Sequence, residues 1–217
     1  MRAHIPPGVE LDRWNGKAHV SLVGLQTADV RVLGWRIPGF ATHPQVNLRT
    51  YVRCGSDPGV TFVRELVPSR VIAALGRLRY REPFEVARIE TRFTDHSDVA
   101  RVEYRFGRAR PQYRIAVVGS SEATVPPATS FERYLTERTH GCRGDRGKRL
   151  WTFRVSHPLW ATRRVTEAEC DVDFAELYGT DWAFLNRRPP VSTILAVGSD
   201  VAVYPPTSTR LAYGFHQ

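Results

Sequence analysis

Between stops of Gly, Pro, Asp and Ser, this chain repeatedly places hydrophobic residues at every second position. The clearest case is HPQVNLRTYVRC, residues 43–54, where Val46, Leu48, Thr50 and Val52 alternate with Gln45, Asn47, Arg49 and Tyr51. Successive side chains on a strand point to opposite faces, so a period of two predicts a strand with one apolar and one polar face. Segments 16–25, 29–35, 58–66, 84–93, 99–108, 112–120, 148–160 and 193–206 read the same way, with turn residues bounding most of them. Few segments carry helical spacing. In 68–79, Val71, Ile72, Leu75 and Leu78 form a stripe behind Ser69, a side chain suited to the N-cap. In 129–139, Phe131, Tyr134, Leu135 and Arg138 share a side behind Ser130. The third helix is predicted over 165–179, where Thr166 and Glu169 have capping-box spacing and Gly179 supplies a stop. Residues 140–149 are glycine-rich and charged, and read as an exposed loop. The predicted fold is α+β, mostly antiparallel β, with residues 1–217 in one domain.

Composition narrows the function classes. With 42% hydrophobic residues the chain can build a substantial core. It lacks an apolar run long enough for a transmembrane helix, and its N-terminus lacks the apolar region of a secretory signal. Cys54, Cys142 and Cys170 are odd in number and lack metal-type spacing, so neither a disulfide framework nor a metal site is expected. A reducing cytoplasm is the expected location. The formal net charge is +9, but only Lys17 and Lys148 among the 31 basic residues are lysine. Dispersed arginines without a basic block beside stacking aromatics argue against nucleic acid as a partner. P-loop, dinucleotide-binding and nucleophile-elbow motifs are all missing.

Four ordered phrases, PPGVELDRWNGKAHVSLV, PQVNLRTYV, LTERT and VSHPLW, resemble the YqjF-like family of uncharacterised proteins, a branch of the acetoacetate decarboxylase-like superfamily. The resemblance runs from about Pro6 to Pro206. It implies a β-rich barrel or cone with a few flanking helices and an internal cavity. Relatives usually carry a further strand-bearing segment ahead of the phrase matching AHIPPGVELD, whereas Met1 lies almost beside it here. Either the native chain is shorter or its true start lies upstream; if the segment is missing, a barrel edge would stay unpaired, favouring a homo-oligomer. Relatives also commonly carry Glu where this chain has Gln45, an amide that cannot ionise. Acetoacetate decarboxylases form a Schiff base through a lysine of a Pro-Lys-Lys phrase. The matching place here is REPFEVARIE, where Pro83 is followed by Phe84 and Glu85, so Schiff-base chemistry is not expected.

The residues left to carry chemistry fall in three places. Asn47, Arg49 and Tyr51 would project together from one strand face at about 7 Å intervals. Arg49 suits a carboxylate or phosphate, with Asn47 and Tyr51 orienting the ligand; the plain alternative is a solvated face, or Arg49 paired with Glu65. Glu137 and Arg138 follow on LTERT, where the plain alternative is a surface Glu and an Arg pinning the helix to the sheet. His157 and Trp160 of VSHPLW come third, His157 as the best acid–base group and Trp160 as a pocket wall; the plain alternative is a hydrogen-bonded core His and a core-filling Trp. The expected protein is therefore a cytoplasmic binder of a small, anionic organic molecule such as a carboxylate, acting without a lysine Schiff base, metal or cofactor. The candidate catalytic residues are His157 and Glu137, and the candidate ligand-binding residues are Asn47, Arg49, Tyr51, Arg138 and Trp160. No membrane partner is expected. The competing reading is a non-catalytic structural or ligand-binding oligomer.

Overall fold

A computed structural model describes residues 4–28, 31–32, 35–36, 42–96, 99–145 and 149–211. Short strands β1 (Glu10–Leu11), β2 (Arg13–Trp14) and β3 (Lys17–Ala18) precede β4 (Val20–Thr27), β5 (Arg31–Val32) and β6 (Trp35–Arg36). The long hairpin β7 (His43–Cys54) and β8 (Asp57–Val67) leads into helix α1 (Arg70–Tyr80). Strands β9 (Phe84–Val86), β10 (Arg88–Asp95), β11 (Val99–Gly107) and β12 (Tyr113–Thr124) follow, then α2 (Phe131–Thr136). The chain continues through β13 (His140–Asp145), β14 (Arg149–Ser156) and β15 (Thr162–Asp171) to α3 (Phe174–Tyr178) and a 3₁₀ helix (Thr180–Arg187). Strands β16 (Leu195–Ala196), β17 (Ala202–Val203) and β18 (Thr207–Arg210) close the order.

A curled nine-stranded sheet runs β1-β7-β8-β13-β14-β17, with β4 also on β7, β9 on β8 and β18 on β14. A five-stranded sheet runs β10-β11-β12-β15-β16. Most pairings are antiparallel; β8 pairs in parallel with β9 and β13. The alternation of β7 decides how the two sheets meet. Val46 and Leu48 join Leu66 of β8 in a core with Tyr104, Phe106 and Tyr113 of the second sheet. Phe174, Leu177, Tyr178 and Trp182 from α3 and the 3₁₀ helix seal that core. The opposite face of β7 carries Gln45, Asn47, Arg49 and Tyr51, and it too is covered. Tyr51, Val60 and Leu135 cluster there with Phe62, Phe131, Tyr134 and Ile194, which seats α2 on the sheet. Ile72 and Ala73 seat α1 against Val67 and Phe84.

Ser69 and Ser130 cap α1 and α2 as predicted, their side chains accepting from Ile72 N and Arg133 N. Several expectations fail, and the strand predicted over 193–206 forms only at Leu195–Ala196 and Ala202–Val203. Residues 140–145 are strand β13, held between β8 and β14, not a loop. The helix predicted from Val165 is instead the end of β15, paired with β12; the helix itself begins after Asp173, whose carboxylate accepts from Glu176 N. The Thr166–Glu169 spacing is local, and an available strand edge outcompetes it. Finally, Cys54 and Cys142 form a disulfide across β8, with Cα atoms 6.7 Å apart. Their separation of 88 residues is closed only by sheet topology, which spacing does not reveal. Gly59 of β8 makes room: a Cβ there would lie 3.0 Å from the Cys54 sulfur. Among the described residues no helix is long and apolar enough to cross a membrane.

A buried carboxyl pair beside two arginines

The polar face of β7 turns inward. Gln45 and Asn47 are buried, and Asn47 stands directly across from Glu65 of β8. Gln45 Nε2 donates to Glu65 Oε2 at 2.6 Å. Beyond Leu48 the β7–β8 register shifts, a bulge that re-aims the following side chains. Arg49 Nη2 donates to the Leu135 carbonyl at 3.2 Å, and its guanidinium carbon lies 5.7 Å from the Tyr51 ring centre.

A second carboxyl arrives from α1. The residue after the helix, Arg81, takes a left-handed conformation (φ 60°, ψ 14°), which reverses the chain. Glu82 is thereby turned inward and is 2% exposed. Neither of its oxygens has a hydrogen-bond partner among the described residues, and nor do Glu65 Oε1, Asn47 Oδ1 and Arg49 Nε. Burial pushes the Glu65 carboxyl well above the usual range, and the nearby Glu82 charge pushes it further. The Gln45 hydrogen bond and the charges of Arg143 and Arg49 oppose this. Burial likewise raises Glu82 to about 8 against the pull of Arg143. Arg143 enters from β13, anchored by donation to the Phe62 carbonyl at 3.2 Å. Burial thus favours the neutral form of both carboxyls, and a neutral carboxyl can donate a proton as well as accept a hydrogen bond.

Of the residues singled out from the sequence, Asn47 and Arg49 belong to this group. Tyr51 lies on the same face but is engaged by its Ser21 hydroxyl contact at 2.5 Å and by neighbouring rings. Arg138 is 6% exposed, ion-paired with Asp12, bonded to the Tyr134 carbonyl and stacked over the Tyr134 ring at 4.1 Å. That geometry pins α2 to the sheet. Both Glu137 and Arg138 follow the end of α2, so the helical face expected for them does not exist. Glu137 Oε1 is buried without a partner but has no described contact to the carboxyl pair. His157 and Trp160 stack on each other at 4.4 Å beyond β14; His157 contacts the Pro158 carbonyl and Trp160 donates to Ser199. They are not brought to the pair. Glu65, Glu82 and Arg143 are the additions. Glu82 had a local signal, standing immediately before Pro83 where the lysine phrase would fall, while Arg143 lay hidden in the segment read as a loop. A cavity of about 240 Å³ lies elsewhere, among Thr124, Glu132, Arg163 and Ile194 on β12, α2, β15 and the segment before β16.

This curled, mostly antiparallel sheet with few helices shares its fold with acetoacetate decarboxylase-like proteins. The Legionella pneumophila acetoacetate decarboxylase superposes with a TM-score of 0.56 at 13% identity, over 98% of this chain and 77% of that one. An acetoacetate decarboxylase-like enzyme from Sphingomonas wittichii RW1 gives 0.55 at 15%, over 97% and 85%. The enduracididine biosynthesis enzyme MppR complexed with pyruvate gives 0.56 at 14%, over 97% and 82%. Within this fold the chain belongs to the DUF2071 family of uncharacterized conserved proteins, which it matches over residues 1–200. It is 26% identical to the uncharacterized protein YqjF of Bacillus subtilis (strain 168) over 174 residues, 80% of this chain and 71% of that protein.

Proposed function

We propose that the chain binds a small carboxylate-bearing organic molecule against Arg49 and Arg143, and that Glu65 and Glu82 exchange protons with it. The observation that carries this reading is the buried pair itself. Two carboxyls with three unpartnered oxygens, beside an unpartnered amide oxygen and an unpartnered guanidinium N–H, are costly to maintain unless something uses them. Arginine suits the carboxylate, and a neutral carboxyl suits protonation of a carbonyl or enolate oxygen. The chemistry proposed does not pass through a lysine: Lys17 is exposed on β3, Lys148 lies outside the described residues, and Phe84, just after Pro83, packs on α1. That MppR has been obtained with pyruvate makes 2-keto acids the natural first probes.

Thermal shift and calorimetry with pyruvate, acetoacetate and their amides test the reading. The acids should raise Tm by about 5–10 °C at a hundredfold excess over Kd, and the amides by much less. Arg49→Met and Glu82→Gln should each abolish most of that shift. Shifts indifferent to both substitutions, or none with any acid, would remove the site assignment. Borohydride added with a bound keto acid should leave the protein mass unchanged; a covalent adduct would restore amine chemistry.

A further inference from the structure

We infer that Gln45 is a positioning residue that fixes which oxygen of Glu65 carries its proton. The inference rests on the carboxyl-pair reading above. Gln45 Nε2 donates to Glu65 Oε2 at 2.6 Å between two buried side chains. An oxygen already accepting a hydrogen bond is the poorer seat for a proton, so the acidic hydrogen of Glu65 belongs on Oε1. That is the oxygen without a partner. An amide donates at every pH, so the assignment persists while the two carboxyls exchange protons with solvent or ligand. A carboxyl at position 45 would lack this constancy, since it donates only when protonated.

Every charged group that acts on Glu65 comes from a different element: Glu82 from the α1–β9 connection, Arg49 from β7 and Arg143 from β13. Among the described residues none of these is bonded to Oε2, and the Gln45 amide distinguishes the two oxygens. The consequence is an acid with one working oxygen. Glu65 keeps its hydrogen on the oxygen that β7 does not engage.

Carboxyl-carbon NMR of protein labelled with ¹³Cδ-glutamate reads this directly. Glu65→Gln and Glu82→Gln assign the two signals, and titration gives their midpoints. In Gln45→Met, which keeps the length and removes the donor, the Glu65 midpoint should rise by about one pH unit or more. In Gln45→Glu it should also rise, with one further proton taken up near neutrality. A merely structural Gln45 would change Tm and leave the midpoint alone. A fall would mean that the amide oxygen accepts from Glu65, the reverse of the assignment, and would overturn it, as would no movement. Wild-type midpoints for both carboxyls in the ordinary range would instead remove the carboxyl-pair reading. Raised midpoints indifferent to Gln45 would remove the positioning role alone. If Gln45→Met does not fold, the Gln45→Glu titration decides by the same signs.

Discussion

Glu82 has the same side chain as Glu90 or Glu167, yet only Glu82 is turned under a helix end and stripped of water. Its folded midpoint of about 8 lies above the unfolded value near 4.5, and Glu65 shifts in the same direction. Below the unfolded midpoint both states hold the protons and no penalty arises. As pH rises toward 8 the unfolded chain releases protons that the folded one keeps, so stability is lost across that window. Urea midpoints should therefore fall between pH 5 and pH 8. Glu82→Gln should flatten that fall and be more stable than wild type at pH 8, by an amount on the order of a few kcal/mol. Arg49→Met removes the bond to the Leu135 carbonyl and should cost about 1–2 kcal/mol in chemical denaturation. At this scale the sequence revealed Asn47 and Arg49 through alternation. Glu65 stood in an ordinary strand phrase, and nothing local distinguished it from an Arg partner on a solvated face.

Elements were legible where local chemistry and tertiary demand agree. Helix α1 shows a serine cap, an apolar stripe and a bounded length in sequence, and it forms as read. Its stripe nevertheless divides in three dimensions: Ile72 is buried, whereas Val71, Leu75 and Leu78 stay exposed. Position 76 is where the helix meets β9. A Cβ on Gly76 would lie 2.3 Å from the Phe84 ring. Gly76→Ala should therefore destabilise by about 1–2 kcal/mol in thermal unfolding, because overpacking outweighs the gain of about 1 kcal/mol in helix propensity. Strand β15 is the contrary case. Its Glu167 and Glu169 form ion pairs with arginines of the same sheet, Arg101 and Arg114. Those partners come from β11 and β12, so a reading confined to 165–179 had only the capping spacing to go on.

At the scale of the whole molecule, the disulfide ties β7, the strand bearing Gln45, Asn47 and Arg49, to β13, the strand bearing Arg143. Closing 88 residues of chain removes much of the unfolded ensemble's freedom. Reduction should lower stability by about 3–5 kcal/mol, measured by urea unfolding with and without a thiol reductant. The double variant Cys54→Ser/Cys142→Ser should be insensitive to reductant; equal sensitivity in both proteins would assign the effect elsewhere.

The sequence by itself determined the class of fold, because alternation with period two and turn residues are local properties that survive without neighbours. It also determined that β7 has one polar face, and the ordered phrases carried the resemblance that the family match bears out. Only the tertiary structure decided that this face is buried. The curl of one sheet, the seating of α2 by Phe131 and Leu135, and the reversal at Arg81 close over it from separate parts of the chain. The same long-range closure removes water from Glu65 and Glu82 and brings Arg143 beside them. Desolvation and charge proximity depend on distance in space, and that is why the chemistry of the pair could not be read along the chain.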